Sequence, residues 1–527
     1  MLFLNNDSLA LWEQDEAAYA GFAYNMLETG NFIIPDFEWS WPHRKPPFHF
    51  WMIAASYSIF GYTEFATRIP SVLAILFSLI LVYYFSKRLY SQKLANWASL
   101  VFMGSLLLPV YGKIGMTDAT LVFCFIGSYF SVLSYLESKK NQWLWWLLFF
   151  TSIGVLTKGP PILITTLGSL GLAFVLGKER REFLKLLIFS IVSLIPFIIW
   201  AGLSWHQDGG EFLLWWVDWY ILKRTTGTVN NHTGFIGYYL LIFILCFLPW
   251  MLFLPHALKR LFLDFIKREK SSQLLFQSTW LISGWLFYEV LTSKLPSYAF
   301  AVLPIWFIYI AQSIINFKTN SSKFIRYSSL ALGVFFIIVG FGIFVFKNKI
   351  PFDNLELTYL LVICLLFIFG VLYLIQIKIP WLQHRLPEIA FIFAFGLHLI
   401  AWGIALPAFE STRRFPKTIS EKLVSLNSSP KHVYFSADYS MSSLPVYLAW
   451  NGYRFNTSPR ENYDQHTMDT LRYSRHKLFM LQRRNLHCLD SILDSFKLTT
   501  IYGFKSDKGF VDTFFIAERK GLKASQP

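Results

Sequence analysis

Apolar runs, each of about 20 residues, recur from residue 66 to residue 408 and are separated by short basic loops. One such run crosses a bilayer hydrocarbon core of about 30 Å. Twelve are legible, near 66–86, 94–112, 119–136, 142–157, 160–177, 183–203, 235–257, 274–293, 295–316, 327–346, 357–377 and 389–408. The fold class this specifies is a polytopic α-helical membrane protein. Composition agrees, with 54% hydrophobic and 15% charged residues in 527.

The formal charge of +15 comes from lysines and arginines clustered in the short loops, as control of topology requires. No basic domain interleaved with aromatics accompanies them, which excludes nucleic acid as a partner. Cys124, Cys246 and Cys364 lie inside apolar runs and Cys488 lies in the tail, with no spacing of a metal site or disulfide framework. No cleavable signal pattern is present.

Loop charge also orients the chain. One set of loops holds nineteen lysines and arginines, and the alternate set holds seven. The richer set belongs in the cytoplasm. The segment before residue 66, the loop 204–234 and the tail after 408 then face outward. The outward N-terminal segment has no span ahead of it. Either it is translocated without a leader, or a thirteenth span precedes the first residue given; the second is the expectation.

The division expected is a transmembrane unit at 1–408, with outward loops 1–65 and 204–234 carrying the chemistry, and a small α/β domain at 409–527. In the tail, charges return and apolar runs shrink to strand length. "HVYFSA" and "KLFMLQ" read as buried strands, "SSLPVYLAWNGY" as a short helix closed by Gly452, and "LTTIYGF" with "DTFFIAE" as a hairpin. No repeat or low-complexity segment is present.

Candidate chemistry lies on the outward side. In "LWEQDEAAYAGFAYNMLETGNF", Asp15 suits a helix N-cap, Glu16 the positive end of the helix dipole and Gly30 a C-cap. A carboxylate there also suits general-base work, and the two readings are compatible. In "WSWPHRKPPFHFW", Trp39, Trp41 and Trp51 fit an interfacial belt. Arg44 and Lys45 precede a stiff Pro46–Pro47 pair and suit a phosphate group, or else lipid headgroups.

Asp118 stands at the outward start of a span, where an N-cap is the plainer reading. Lys158 sits in the tight turn "TKGPP". Lys294 lies between two spans with Tyr298 beyond it, and on its own reads as a lysine snorkelling to the interface. The Trp-rich loop 204–234 adds Lys223, Arg224 and His232. An acid with His232 admits a divalent cation, but no ligand spacing enforces one. Taken singly each residue has a structural explanation. Taken together they describe an extracytoplasmic cavity with carboxylates and phosphate-binding cations.

Five motifs in order carry a resemblance: "LWEQDEAAYAGFAYNMLETGNFIIP" with "KPPFHFW", "GYTEFATRIPSVLA", "TDATLVF", "LTKGPP" and "SKLPSYAFAVLP". Over about residues 7 to 310 the chain resembles bacterial polyprenyl-phosphate-sugar-dependent glycosyltransferases, relatives of protein O-mannosyltransferases and of the lipid A aminoarabinose transferases. The resemblance implies the GT-C fold, commonly thirteen spans with an outward C-terminal domain, in the bacterial cytoplasmic membrane. It implies a sugar donor on an undecaprenyl-type phosphate, a glycolipid or protein acceptor and an inverting transfer. It casts Asp15 as base, Glu16 as its support and Asp118 as a second acidic position. Lys45, Lys294 and Tyr298, with Lys223 or Arg224, would hold the donor phosphate.

The chain departs from the aminoarabinose transferases at two places. Arg44 stands where they carry an acid, and Tyr220 falls in "DWYILKR" where a histidine is expected. Both departures weaken a metal and weaken the assignment of aminoarabinose. The rival reading is a transporter or flippase for a lipid-linked or anionic substrate. It needs polar residues near the bilayer midplane, where this chain offers mainly Glu289 and His398. His398 reads as a hydrogen-bonded core residue.

Overall fold

A computed structural model describes residues 2–12, 15–37, 45–223, 234–268, 271–291, 293–319, 323–346, 356–407, 415–426, 432–435, 443–457, 478–482, 495–504 and 511–519. Two short helices open it: α1 (Asp15–Thr29) and α2 (Phe48–Phe60). Gly30 closes α1 with φ 71°, its N–H bonded to the Met26 carbonyl at 3.0 Å, the left-handed cap that glycine adopts without cost. Pro46 disfavours helical backbone at Lys45 before it. Pro47 occupies the N-cap of α2, where a missing N–H costs nothing.

The bundle follows: α3 (Glu64–Leu89), α4 (Gln92–Met103), α5 (Leu107–Gly112), α6 (Thr117–Ser138), α7 (Gln142–Lys158) and α8 (Pro160–Leu176), then helices to residue 405. Helical segments occupy all twelve expected runs. Among the described residues, seven helices are long and apolar enough to cross a membrane. The shortfall has physical causes. The run 94–112 breaks into α4 and α5 around Gly104, which Trp250 packs against. The run 235–257 breaks at a 3-10 turn, Leu248–Trp250. The pair 142–157 and 160–177 is two helices, separated at Gly159. Gly159 has φ 79°, and a Cβ there would lie 2.6 Å from the Trp216 ring.

The spans differ in surroundings. The most apolar window of α6 is 94% buried and that of Pro296–Phe317 is 89% buried, whereas Phe324–Phe346 is 28% buried. The first two form the protein interior. The third presents apolar side chains outward, as a lipid-facing helix does. His398 donates from Nδ1 to the Ala394 carbonyl of its own turn at 2.7 Å, and is a buried helix residue as expected. Among the described residues, three π-helical turns interrupt the helices, at Asp218–Leu222, Ile282–Leu286 and Ala401–Ala405.

In the tail, β1 (His432–Phe435) pairs in parallel with β2 (Arg454–Thr457) and β3 (Leu478–Gln482). β3 pairs antiparallel with β5 (Val511–Arg519), and β5 with β4 (Phe496–Phe504). The order is β2-β1-β3-β5-β4. Both expected strands, the hairpin and the helix (Ser443–Trp450) ending before Gly452 are present; β2 was not foreseen. That helix packs on α1 and α2, where Val446 and Tyr447 share a core with Leu11, Tyr19 and Tyr57.

Candidate active site

The adjacent acids part company at once. Asp15 is the first residue of α1 and one-third exposed, with its Oδ1 3.9 Å from the Lys45 ammonium. Glu16 is fully buried. Its Oε1 accepts from Arg68 Nε at 2.8 Å and from the Gly115 N–H at 2.7 Å; its Oε2 accepts from Arg68 Nη2 at 3.0 Å and from the Trp12 N–H at 2.6 Å. With both oxygens committed, Glu16 anchors the start of α1 and does not face a substrate.

Lys45 is buried, bonded to the Tyr19 hydroxyl, with its ammonium 4.7 Å from the centre of that ring. It is therefore part of the interior and not a headgroup anchor. Burial raises the Tyr19 phenol well above its ordinary pKa, and the charges of Asp15 and Asp118 add to this. Tyr19 is thus a neutral hydrogen-bonding group.

Asp118 is buried and ion-paired with Lys158 at 2.7 Å. The Ser297 hydroxyl bonds it too, and the Lys45 charge acts on it. The N-cap of α6 is Met116, with no side-chain bond, so the capping reading of Asp118 fails. Its carboxylate is spent on Lys158 instead. His49, on α2, lies 3.0 Å from the Thr120 hydroxyl. Burial lowers its pKa to about 4, against the opposing pull of Asp118.

Lys294 is buried, donating to the Glu289 backbone carbonyl at 2.6 Å and lying 3.4 Å from its carboxylate. It does not snorkel. Glu289 also accepts the N–H groups of Gly237 and Tyr239, at 3.0 and 3.1 Å, and so caps the helix Tyr238–Cys246. Tyr298 is buried and packs on Tyr288, ring centres 5.5 Å apart. It adjoins Ser297 in the 3-10 turn Pro296–Val302. Lys223 is half exposed and paired with Asp218 at 2.6 Å. Trp39, Trp41, Arg44, Arg224 and His232 lie outside the described residues.

Sequence reading missed Arg68, Tyr19, His49 and Ser297. Arg68 had a signal, since it is an arginine inside the expected span 66–86, where an ionisable residue needs an explanation. Among the described residues, no three His, Cys, Asp or Glu side chains converge as metal ligands do.

The model of the family "Dolichyl-phosphate-mannose-protein mannosyltransferase" matches residues 44–205, which carry Lys45, Arg68, Asp118 and Lys158. The undecaprenyl phosphate-alpha-4-amino-4-deoxy-L-arabinose arabinosyl transferase 2 of Proteus mirabilis is 26% identical over 313 residues, 55% of this chain and 53% of that protein. The corresponding transferase of Shewanella sediminis is 25% identical over 459 residues, 83% of this chain and 80% of that protein. The crystal structure of ArnT from Cupriavidus metallidurans bound to undecaprenyl phosphate superposes with a TM-score of 0.76. At 17% identity it covers 100% of this chain and 97% of that one. The chain shares the fold of that structure, the GT-C fold that the resemblance implies, and is similar in sequence to these transferases. The resemblance read from the sequence is thereby borne out. The first of these matches spans about half the length of the curated relative.

Proposed function

We propose that this GT-C protein is an inverting glycosyltransferase. It would move a sugar from a polyprenyl phosphate to a lipid A-like glycolipid or a protein, on the outer face of the bacterial cytoplasmic membrane. One observation carries the reading. A partly exposed carboxylate, Asp15, stands beside a buried lysine, Lys45, with Tyr19 and the Asp118–Lys158 pair behind them.

In the step proposed, an acceptor hydroxyl attacks the anomeric carbon and its proton passes to Asp15. The bond from that carbon to the phosphate oxygen breaks, and the electron pair leaves with the polyprenyl phosphate. Lys45, Lys294 and Tyr298 face the charge that grows on the phosphate, in a site where burial strengthens each interaction. Lys223 and Arg224 remain candidates for that phosphate at the loop. Asp118 and Glu16 act as positioning residues, the first through Lys158 and Ser297, the second through Arg68. The unit beyond residue 408 is proposed to face outward as well.

The test is mass spectrometry of envelope glycolipids and glycoproteins from a deletion strain, complemented with the wild-type gene or with Asp15→Asn. One species should lose a sugar mass on deletion. The wild-type gene should restore it, and Asp15→Asn should restore it about 10² to 10⁴ times more slowly. Equal restoration by both genes would remove Asp15 from the chemistry.

A further inference from the structure

Residues 2–12, ahead of α1, form turns and no helix or strand, yet their backbone is bonded to distant parts of the chain. Lys113 donates to the Leu4 carbonyl. Arg68 holds the carbonyls of Asn6, Leu9 and Ala10 at 2.8, 2.9 and 2.9 Å. The next link comes from the far end of the sequence. The N–H of Leu11 donates to the Tyr447 hydroxyl at 2.7 Å, across 436 positions.

That hydroxyl has one proton and gives it to Glu64 Oε1 at 3.0 Å. Lys417 donates to the same carboxylate oxygen. A carboxylate accepts only, so Glu64 fixes the direction of the chain. The phenol must donate to Glu64, which leaves its lone pair for Leu11. Leu11 and Tyr447 are both buried, so no water replaces the bond. Directly after Leu11, the Trp12 N–H is held by Glu16, and Asp15 follows three residues later.

We propose that Tyr447 is a positioning residue for Asp15, and so that the chain beyond residue 408 sets the geometry of the carboxylate without touching substrate. The proposal rests on the transferase reading of the site. Asp15 stands at the start of α1, 3.9 Å from Lys45, so a shift of that helix start moves the carboxylate relative to its lysine. Misplacement of about 1 Å costs a reacting group up to a hundredfold in rate.

The experiment uses the full chain in nanodiscs, with Tyr447→Phe as the variant and Tyr453→Phe as the control. Tyr453 is a second buried tyrosine of the same unit, whose hydroxyl donates to the Leu423 carbonyl at 2.9 Å, away from the N-terminal segment. Two readouts are taken: hydrogen exchange of peptides covering residues 9–22, and kcat and KM for the product species identified in the deletion strain. Tyr447→Phe should speed exchange at Leu11 about fivefold. It should lower kcat about tenfold and leave KM within twofold, while Tyr453→Phe leaves both readouts near wild type. Faster exchange with unchanged kcat would overturn the link to Asp15. Equal loss in both variants would reduce Tyr447 to a general structural role. Unchanged exchange would overturn the latch itself. A wild-type chain that transfers nothing would overturn the reading of the site and the catalytic half of this proposal, and the exchange result would still judge the latch.

Discussion

Two helices, α3 and α6, carry charge at both ends, and the ends are treated in opposite ways. At their N-terminal ends, Arg68 and Asp118 are buried and paired with Glu16 and Lys158. At their C-terminal ends, Arg88 pairs with Glu137, and Lys139 just beyond pairs with Glu179, all of them partly or largely exposed. Taking ions out of water costs several kcal/mol each, and well-packed apolar residues often serve stability as well or better. The exposed pairs cost little and contribute little. Burying charge at one end of the bundle and leaving it wet at the other fits the proposal that the first end carries the chemistry.

The most severe way to break that contrast is to remove one partner of the buried pair. Arg68→Leu should cost about 3–5 kcal/mol by stranding Glu16. Thermal unfolding of the purified chain in detergent should show it as a large fall in midpoint. The double variant with Glu16→Leu should recover part of the loss, and no recovery would mean that the backbone carbonyls held by Arg68 matter more than the pair.

A smaller effect sharpens the picture of the buried end through pH. His49 is neutral in the fold down to about pH 4, whereas an unfolded histidine takes a proton near 6.5. Between those values the unfolded state binds more protons, so stability is intact above about 6.5 and falls as pH drops toward 4. From pH 7 to pH 5 the loss is about 2 kcal/mol. His49→Gln should flatten that part of the midpoint-versus-pH curve; an equally steep curve in the variant would assign the acid sensitivity to other groups. At the opposite end the effect should be the smallest. Glu179→Gln should change stability by less than about 1 kcal/mol, and a drop like that of Arg68→Leu would erase the distinction between the two ends.

Much of this architecture is visible in sequence because its signals are local. The apolar runs, the tail strands and the cap at Gly30 each need only a few neighbouring residues. Asp118 and Lys158 are visible singly, each beside a helix end, but their 2.7 Å pairing joins two helices that no local pattern aligns. The same is true of Ser297 against Asp118 and of Tyr447 against Leu11. Glu16 shows the sharper limit. Sitting beside Asp15, it offers the same chemistry on paper, and one step of about 100° around the helix turns it inward to Arg68.

The π-helical turn at Ile282–Leu286 carries one residue more than regular winding would need. Glu289, which caps Tyr238–Cys246 and holds Lys294, follows it directly along the same rod. Exchanging an exposed apolar side chain of this turn, such as Leu286, leaves the winding as it is. Losing a single codon is another matter. The helix would rewind smoothly and every residue after the deletion would swing by about 100°, turning Glu289 away from its partners while hydropathy stayed the same. Among relatives, gaps should therefore be rarer here than substitutions.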